Sequence, residues 1–229
     1  MARGWGREQV GEVLDGAGVD AWGVAANMPP LPLAPPLATA ITLLKRFDSV
    51  ELRGVEHGPH ETYYAGYLRL NAALDAAAAR LVEGLRAAGA AAEFVPPTVP
   101  EELYDTIADW GDAGVFAHKT AATRAGLGWI GKTALFVSPE FGPRVRLATV
   151  FTDLALEAGT PVAEGRCGTC RRCVDACPAG AGRDVTWQAG LPREALYDEK
   201  ACEAETERHP DLGGVCGVCI AVCPWGRDG

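Results

Sequence analysis

The chain has 229 residues, 48% of them hydrophobic and 22% charged, an ordinary balance for one sizeable globular domain with a smaller one beside it. Its formal net charge of −9, with no Lys/Arg block, makes it a poor default binder of nucleic acid or of an anionic membrane. No apolar run approaches the ~18 residues of a membrane span, and the start MARGWGREQVGEVLDG lacks an apolar stretch behind a charged one, so no span and no secretory signal are expected and the expected location is the cytoplasm.

Residues 7–18 place Val10, Val13 and Leu14 on one side and predict a short amphipathic helix, followed by a strand at AWGVAA (21–26). The proline-rich MPPLPLAPP (28–36) suits only a connection, because proline lacks an amide donor and breaks helices. ATAITLLK (38–45) predicts a buried strand, and 46–61 reads as a polar loop. From Thr62 to Ala90, Leu70, Leu74, Leu81 and Leu85 recur at helical spacing, with Gly89 as the stop. AAEFVP (91–96) predicts a strand. Residues 101–112 carry Glu101, Glu102, Asp105, Asp109 and Asp112 without a Lys or Arg, the pattern of a solvated acidic face. VFAHKTAATRAG (115–126) predicts a helix that stops at Gly126. TALFVS (133–138) and VRLATVFTDL (145–154) predict a β pair joined by PEFGPR, and 157–165 a linker of small residues.

All eight cysteines fall between 167 and 223. A disulfide framework staples small secreted domains, so crowding at one end of this chain favours ligation of metal or cluster. Cys167, Cys170, Cys173 and Cys177 form C-x2-C-x2-C-x3-C, closed by Pro178, which is the bacterial ferredoxin run. Cys202 is followed at a distance by Cys216, Cys219 and Cys223, closed by Pro224. In that run the last cysteine crosses to the other cluster. The expected ligand sets for two [4Fe–4S] clusters are therefore Cys167, Cys170, Cys173 and Cys223 for one, and Cys177, Cys202, Cys216 and Cys219 for the other. Zinc is the alternative, since four-cysteine zinc sites also use C-x2-C pairs. Two clusters imply electron transfer, and the preceding 160 or so residues are expected to hold the acceptor. Trp225 is placed to shield a cluster from water.

The stretch GLGWIG (126–131) fits G-x-G-x-x-G. A dinucleotide loop must leave a strand and open a helix; here a helix is expected before it and a strand after. That leaves a glycine-rich helix-to-strand turn with Trp129 in the core, or a cofactor loop of another kind.

HKTAATRAGLGWIGKTALFVSPEFGPRVRLATVFTDLAL, then CGTCRRCVDACP and CGVCIAVCPW, resembles the epoxyqueuosine reductase family and its short relatives, with a double-cluster module also like that of reductive dehalogenases. The resemblance is strong over roughly 112–225 and weaker at YYAGYLRLNAALD (63–75). It implies an α+β fold: a nitroreductase-like core over 1–160 that binds base-off cobalamin, then a ferredoxin-like domain over 161–229. It implies that Gly126, Gly128, Trp129, Ile130, Gly131 and Lys132 lie against the corrin, and that Asp112 aligns with the family's proton donor. His118, Lys119 and Tyr67 are further candidates for cofactor contacts, each weighed against a plain structural role, as are Tyr63 and Tyr64. No D-x-H-x-x-G motif for a histidine-ligated corrin is present.

The tRNA-acting members carry a helical-repeat region after the clusters, whereas this sequence stops six residues past Cys223. The expectation is thus a corrinoid-dependent iron–sulfur reductase of a small molecule rather than of tRNA. Its electrons would come from a low-potential donor such as ferredoxin or flavodoxin. The alternatives are a carrier that reduces a partner's corrinoid or flavin, and a reductase that uses FMN.

Overall fold

The computed structural model describes residues 4–28, 37–98 and 117–226. Asp112, most of the proline-rich connection and the acidic run lie outside the described residues. The chain forms two compact units, one of residues 1–45, 70–127 and 146–161, the other of residues 46–69, 128–145 and 162–229. The sequence reading divides the chain once, near 160. The structure also has a division there, but the second unit takes in two earlier segments as well.

The first unit is built on a four-stranded sheet of order β1-β2-β6-β3. Its strands are β1 (Ala21–Ala25), β2 (Thr39–Arg46), β3 (Ala92–Val95) and β6 (Val145–Thr152). β1 runs antiparallel to β2 with Val24 opposite Ile41, and β3 antiparallel to β6 with Val95 opposite Thr149. The two inner strands are buried almost throughout, which explains why neither shows a regular polar alternation; a strand covered on both faces has no solvent face to mark.

Helix α1 (Arg7–Gly16) sends Val10 and Leu14 into the core. Helix α2 (Glu61–Ala87) sends Leu70, Leu74, Leu81 and Leu85, none with any exposed surface. His60 starts α2 by accepting the Tyr63 amide on Nδ1 at 3.2 Å. Gly89 ends it at φ +87, its amide on the Arg86 carbonyl and that of Ala90 on the Leu85 carbonyl. This pair of bonds needs a left-handed residue at Gly89, which glycine supplies without strain. Helix α3 (His118–Arg124) packs against β1, where a Cβ on Gly23 would stand 3.0 Å from the Leu127 side chain.

One expected pairing is corrected. TALFVS does not pair with the strand that follows it. Gly131 donates to the Leu135 carbonyl at 2.7 Å and Ala134 to the Gly131 carbonyl at 3.0 Å. This tight turn folds β5 (Phe136–Val137) back onto β4 (Trp129–Ile130), while β6 joins the four-stranded sheet. The mixed α and β composition agrees with the α+β class. No helix among the described residues is long and apolar enough to cross a membrane.

Candidate metal centre

All eight cysteines lie in the second unit as free, half-buried thiols. Two four-residue helices carry parts of the motifs: α4 (Arg172–Asp175) holds Cys173, and α6 (Val218–Ala221) holds Cys219. These helices contact each other, and α6 packs on the 3-10 turn Val55–His57. Between the motifs, α5 (Glu199–Thr206) carries Cys202, its start capped by the Asp198 carboxylate, which accepts the Ala201 amide at 3.1 Å.

The thiols sort by their electrostatic neighbours. Cys173 faces Cys223, Cys167 and Cys170, and Cys223 in turn faces Cys167 and Cys170. Cys202 faces Cys177 and Cys216, while Cys219 faces Cys216 and Cys202, and also Cys173. Burial, with the nearby thiols adding to it, pushes Cys173 up to about 11 and Cys219 up to about 12. Burial likewise raises Cys202, Cys216 and Cys223. Crowded, desolvated thiols resist becoming thiolates unless positive charge arrives with the ligand, and coordinated iron supplies it. Among the described residues, no three His, Cys, Asp or Glu side chains form a cage for a single ion. Four thiolates around one zinc would stand only ~4 Å apart. A cube binds each thiolate at a separate iron and so accepts a wider set. The eight cysteines fit two [4Fe–4S] clusters in number, grouping and chemistry.

Arg144 braces the end of the second motif. Its guanidinium donates to the carbonyls of Cys223 at 2.5 Å, of Ala221 at 3.3 Å and of Trp225. The chain passes so close here that a Cβ on Gly142 would stand 2.0 Å from the Trp225 carbonyl oxygen. An open cleft of about 800 Å³, lined in part by Arg46, Arg53, Phe141, Arg144 and Ala221, leaves this end of the motif reachable from solvent. Trp225 stacks edge-on against the fully buried Trp129, ring centroids 4.8 Å apart.

The residues expected against a corrin have other duties. Gly126 sits at φ +81, where a Cβ would be 2.7 Å from the Thr160 carbonyl oxygen. A Cβ on Gly128 would be 2.1 Å from that of Val137. Trp129 and Ile130 are buried in β4. The amides of Gly126, Leu127 and Gly131 are bonded to Thr123, Ala122 and Leu135. Lys132 is buried and ion-paired to Asp184 at 2.7 Å. His118, in the first unit, has Nδ1 on the Thr149 hydroxyl and Nε2 on the Pro96 carbonyl, both at 2.9 Å. Burial first, and then Arg146, push its pKa down to about 4 against the pull of the Pro96 carbonyl. Lys119 lies half-buried in the first turn of α3. These side chains therefore do not form an open corrin surface, and the glycines are required by the chain's own close approaches. The helix-in, strand-out setting of GLGWIG also argues against a dinucleotide loop.

The tyrosines pack on the second motif. A Cβ on Gly217 would stand 2.7 Å from the Tyr63 ring, and one on Gly213 2.6 Å from the Tyr64 ring. Tyr63 also stacks on Phe47 at 5.4 Å, and Tyr64 on Tyr67 at 6.3 Å. Sequence reasoning missed Arg144, whose bonds to the carbonyls of Ala221, Cys223 and Trp225 join residues far apart in the sequence.

Residues 166–226 match the model of the 4Fe-4S double cluster binding domain. The chain is 34% identical over 123 residues to an epoxyqueuosine reductase of Listeria monocytogenes, covering 51% of this chain and 31% of that one. It is 36% identical over 124 residues to the tetrachloroethene reductive dehalogenase of Sulfurospirillum multivorans, covering 49% and 24%. The chain thus spans about a quarter to a third of the length of these relatives. Its fold is also that of the catabolic reductive dehalogenase NpRdhA, with a TM-score of 0.75 at 19% identity over 99% of this chain and 33% of that one. The resemblance seen in AGLGWIGK and the cysteine spacing is borne out: the chain is related to epoxyqueuosine reductases and reductive dehalogenases and carries a double 4Fe-4S cluster binding domain.

Proposed function

We propose that the protein is an oxidoreductase that takes single electrons from a low-potential donor such as ferredoxin or flavodoxin. It passes them through two [4Fe–4S] clusters to a corrinoid that reduces a small molecule. The observation that carries this reading is the match of residues 166–226 to the 4Fe-4S double cluster binding domain, and it is supported by Cys223 lying near Cys173 and Cys177 near Cys202, although Cys219 also lies near Cys173. Four cysteines supply the thiolates that one cube needs, and a pair of clusters in one unit has no simpler use than electron transfer. In this reading residues 1–160 form a nitroreductase-like core and 161–229 a ferredoxin-like module.

The corrinoid is supported by the likeness in fold to a reductive dehalogenase whose structure suggests a mechanism for B12-dependent dehalogenation, and FMN has no such support. Gly126, Gly128, Lys132 and His118 are engaged within the protein itself, so they do not supply an open corrin surface. When bound, a low-valent corrin cobalt supplies a nucleophile or electron source for reductive cleavage. Asp112 is proposed as proton donor from the alignment alone.

Anaerobic reconstitution tests the whole reading. About eight iron and eight sulfide per chain are expected, four of each per cube; stoichiometric zinc without iron would reject it. Titration with cobalamin is expected to produce the base-off spectrum, and tight FMN binding with no cobalamin binding would transfer the reading to a flavin enzyme. Asp112→Asn is expected to keep iron and corrinoid binding and to lose roughly 100-fold in substrate reduction, the scale for loss of a general acid. Wild type that reduces a partner's cofactor but no small molecule is a carrier.

A further inference from the structure

Tryptophan has one polar atom, the indole nitrogen, and its N–H only donates. Buried donors are nearly always paired, because an unpaired one forfeits the hydrogen bond that water gave it. Trp129 departs from this rule. Its side chain has no exposed surface, and its Nε1 has no hydrogen-bond partner among the described residues. The small core in which it lies, with Ile130, Ala181, Trp187 and Leu196, is apolar. An apolar surrounding does not hold a water in place.

Two ring contacts locate the indole. The Arg166 guanidinium stands over its ring at 5.5 Å, and the Trp225 ring meets it edge-on at 4.8 Å. Arg166 directly precedes Cys167, and Trp225 follows Cys223 by two residues. These two cysteines are expected to ligate the same cluster. From the same hairpin as Trp129, a Cβ on Gly131 would be 3.9 Å from Cys167 Sγ. Cys167, Cys177 and Cys202 all pack against the core that holds the indole, yet no thiol accepts its N–H. Thiolates are only part of what a loaded cube offers. It also brings inorganic sulfides, which accept hydrogen bonds as ligand sulfurs do.

We propose that the indole N–H of Trp129 donates to an inorganic sulfide of the cluster held by Cys167 and Cys223, and that this bond raises that cluster's reduction potential. The inference rests on the two-cluster reading. Reduction makes the sulfides more negative, and a hydrogen bond to a more negative acceptor is the stronger. The bond therefore favours the reduced cluster. Trp129 biases an incoming electron toward this cluster, and it does so from a site closed to water.

The test uses the full chain with both clusters loaded anaerobically, and iron and sulfide are counted first on every protein. Tryptophan is supplied with an isotope-labelled indole nitrogen. Pulsed electron paramagnetic resonance of the reduced protein is expected to show a hyperfine coupling to that nitrogen and to its exchangeable proton. Trp129→Phe, which keeps an aromatic ring but has no N–H, is expected to abolish the coupling. In a redox titration it should lower the midpoint of one cluster and leave the other in place. A second variant carries at position 129 a tryptophan analogue with sulfur in place of the indole NH. It keeps the shape and is expected to show the same lowered midpoint. Full iron in the wild type without the coupling would overturn the proposal and give the N–H to the face of the Trp225 ring. A coupling that survives in Trp129→Phe would overturn it too, since another tryptophan would be the donor. Unchanged midpoints in the sulfur analogue would refute the effect on potential. Failure of both variants to load iron would assign the N–H to folding and also refute it. Wild type without iron would overturn the two-cluster reading itself, so the iron count separates the two failures.

Discussion

In the first unit, Leu14, Leu43, Leu74, Leu81 and Leu85 lose essentially all contact with solvent around a four-stranded sheet. In the second, the helices that carry Cys173 and Cys219 are four residues long, and every thiol keeps some exposure. Each fully buried leucine contributes ~1.5–3 kcal/mol, so the first unit has the means to hold its own shape. A helix of four residues has no independent stability. The cysteine loops are held instead by Trp129, Trp187 and Leu196 in a small core, by Arg144 on three carbonyls, and by the Lys132–Asp184–Arg171 network. The contrast teaches that apolar burial organises one unit, whereas the other is organised around what its cysteines ligate, for which binding energy is also folding energy.

The largest effect expected from breaking this contrast is at Cys177. Its neighbours are Cys202 and Cys216, although it lies in the first motif. Cys177→Ala is expected to halve the iron from about eight to about four per chain and to spare the cluster of Cys167, Cys170, Cys173 and Cys223. Far-ultraviolet circular dichroism should show α2 intact. Loss of the first-motif cluster alone would show that Cys177 does not cross over.

Leu81→Ala acts on the other side of the comparison. It opens a cavity in the first unit's core and is expected to cost ~2–5 kcal/mol in chemical denaturation. The visible absorbance of the clusters under native conditions should not change. A cluster spectrum altered as strongly as the stability would mean that the units do not hold themselves by separate means.

The smallest effect is a pH dependence that belongs to the first unit. The His118 imidazole is held neutral, its pKa lowered from 6.5 to about 4, first by burial. Between those values the unfolded chain takes up a proton that the folded one refuses. Stability is therefore complete above the unfolded pKa and declines as pH falls toward 4. The residue keeps partial solvent contact, and the expected loss is about 1–3 kcal/mol. Denaturation of wild type and His118→Asn at pH 7 and pH 4.5 checks it. An equal decline in both proteins would place the proton elsewhere.

The sequence by itself determined the features that are local. Ligand spacing is short-range, because a few residues of backbone must wrap a cluster, so both cysteine motifs were legible. The core face of α2 and its stop at Gly89 follow from periodicity and from glycine's freedom at positive φ. Only the tertiary structure decided the rest. TALFVS looked like the partner of the next strand, but the hydrogen bonds of the Gly131–Leu135 turn bring it back onto Trp129 and Ile130. The glycines of AGLGWIGK looked like room for a ligand, yet Gly126 and Gly128 make room for the carbonyls of Thr160 and Val137. Tyr63 and Tyr64 stack over Gly217 and Gly213, more than 140 residues away in the sequence. Strand pairing, ion pairs such as Lys132–Asp184, and the bonds of Arg144 to the Cys223 and Trp225 carbonyls all join residues that are distant in sequence. Local propensity carries no information about such partners; they are selected by the packing of the whole fold.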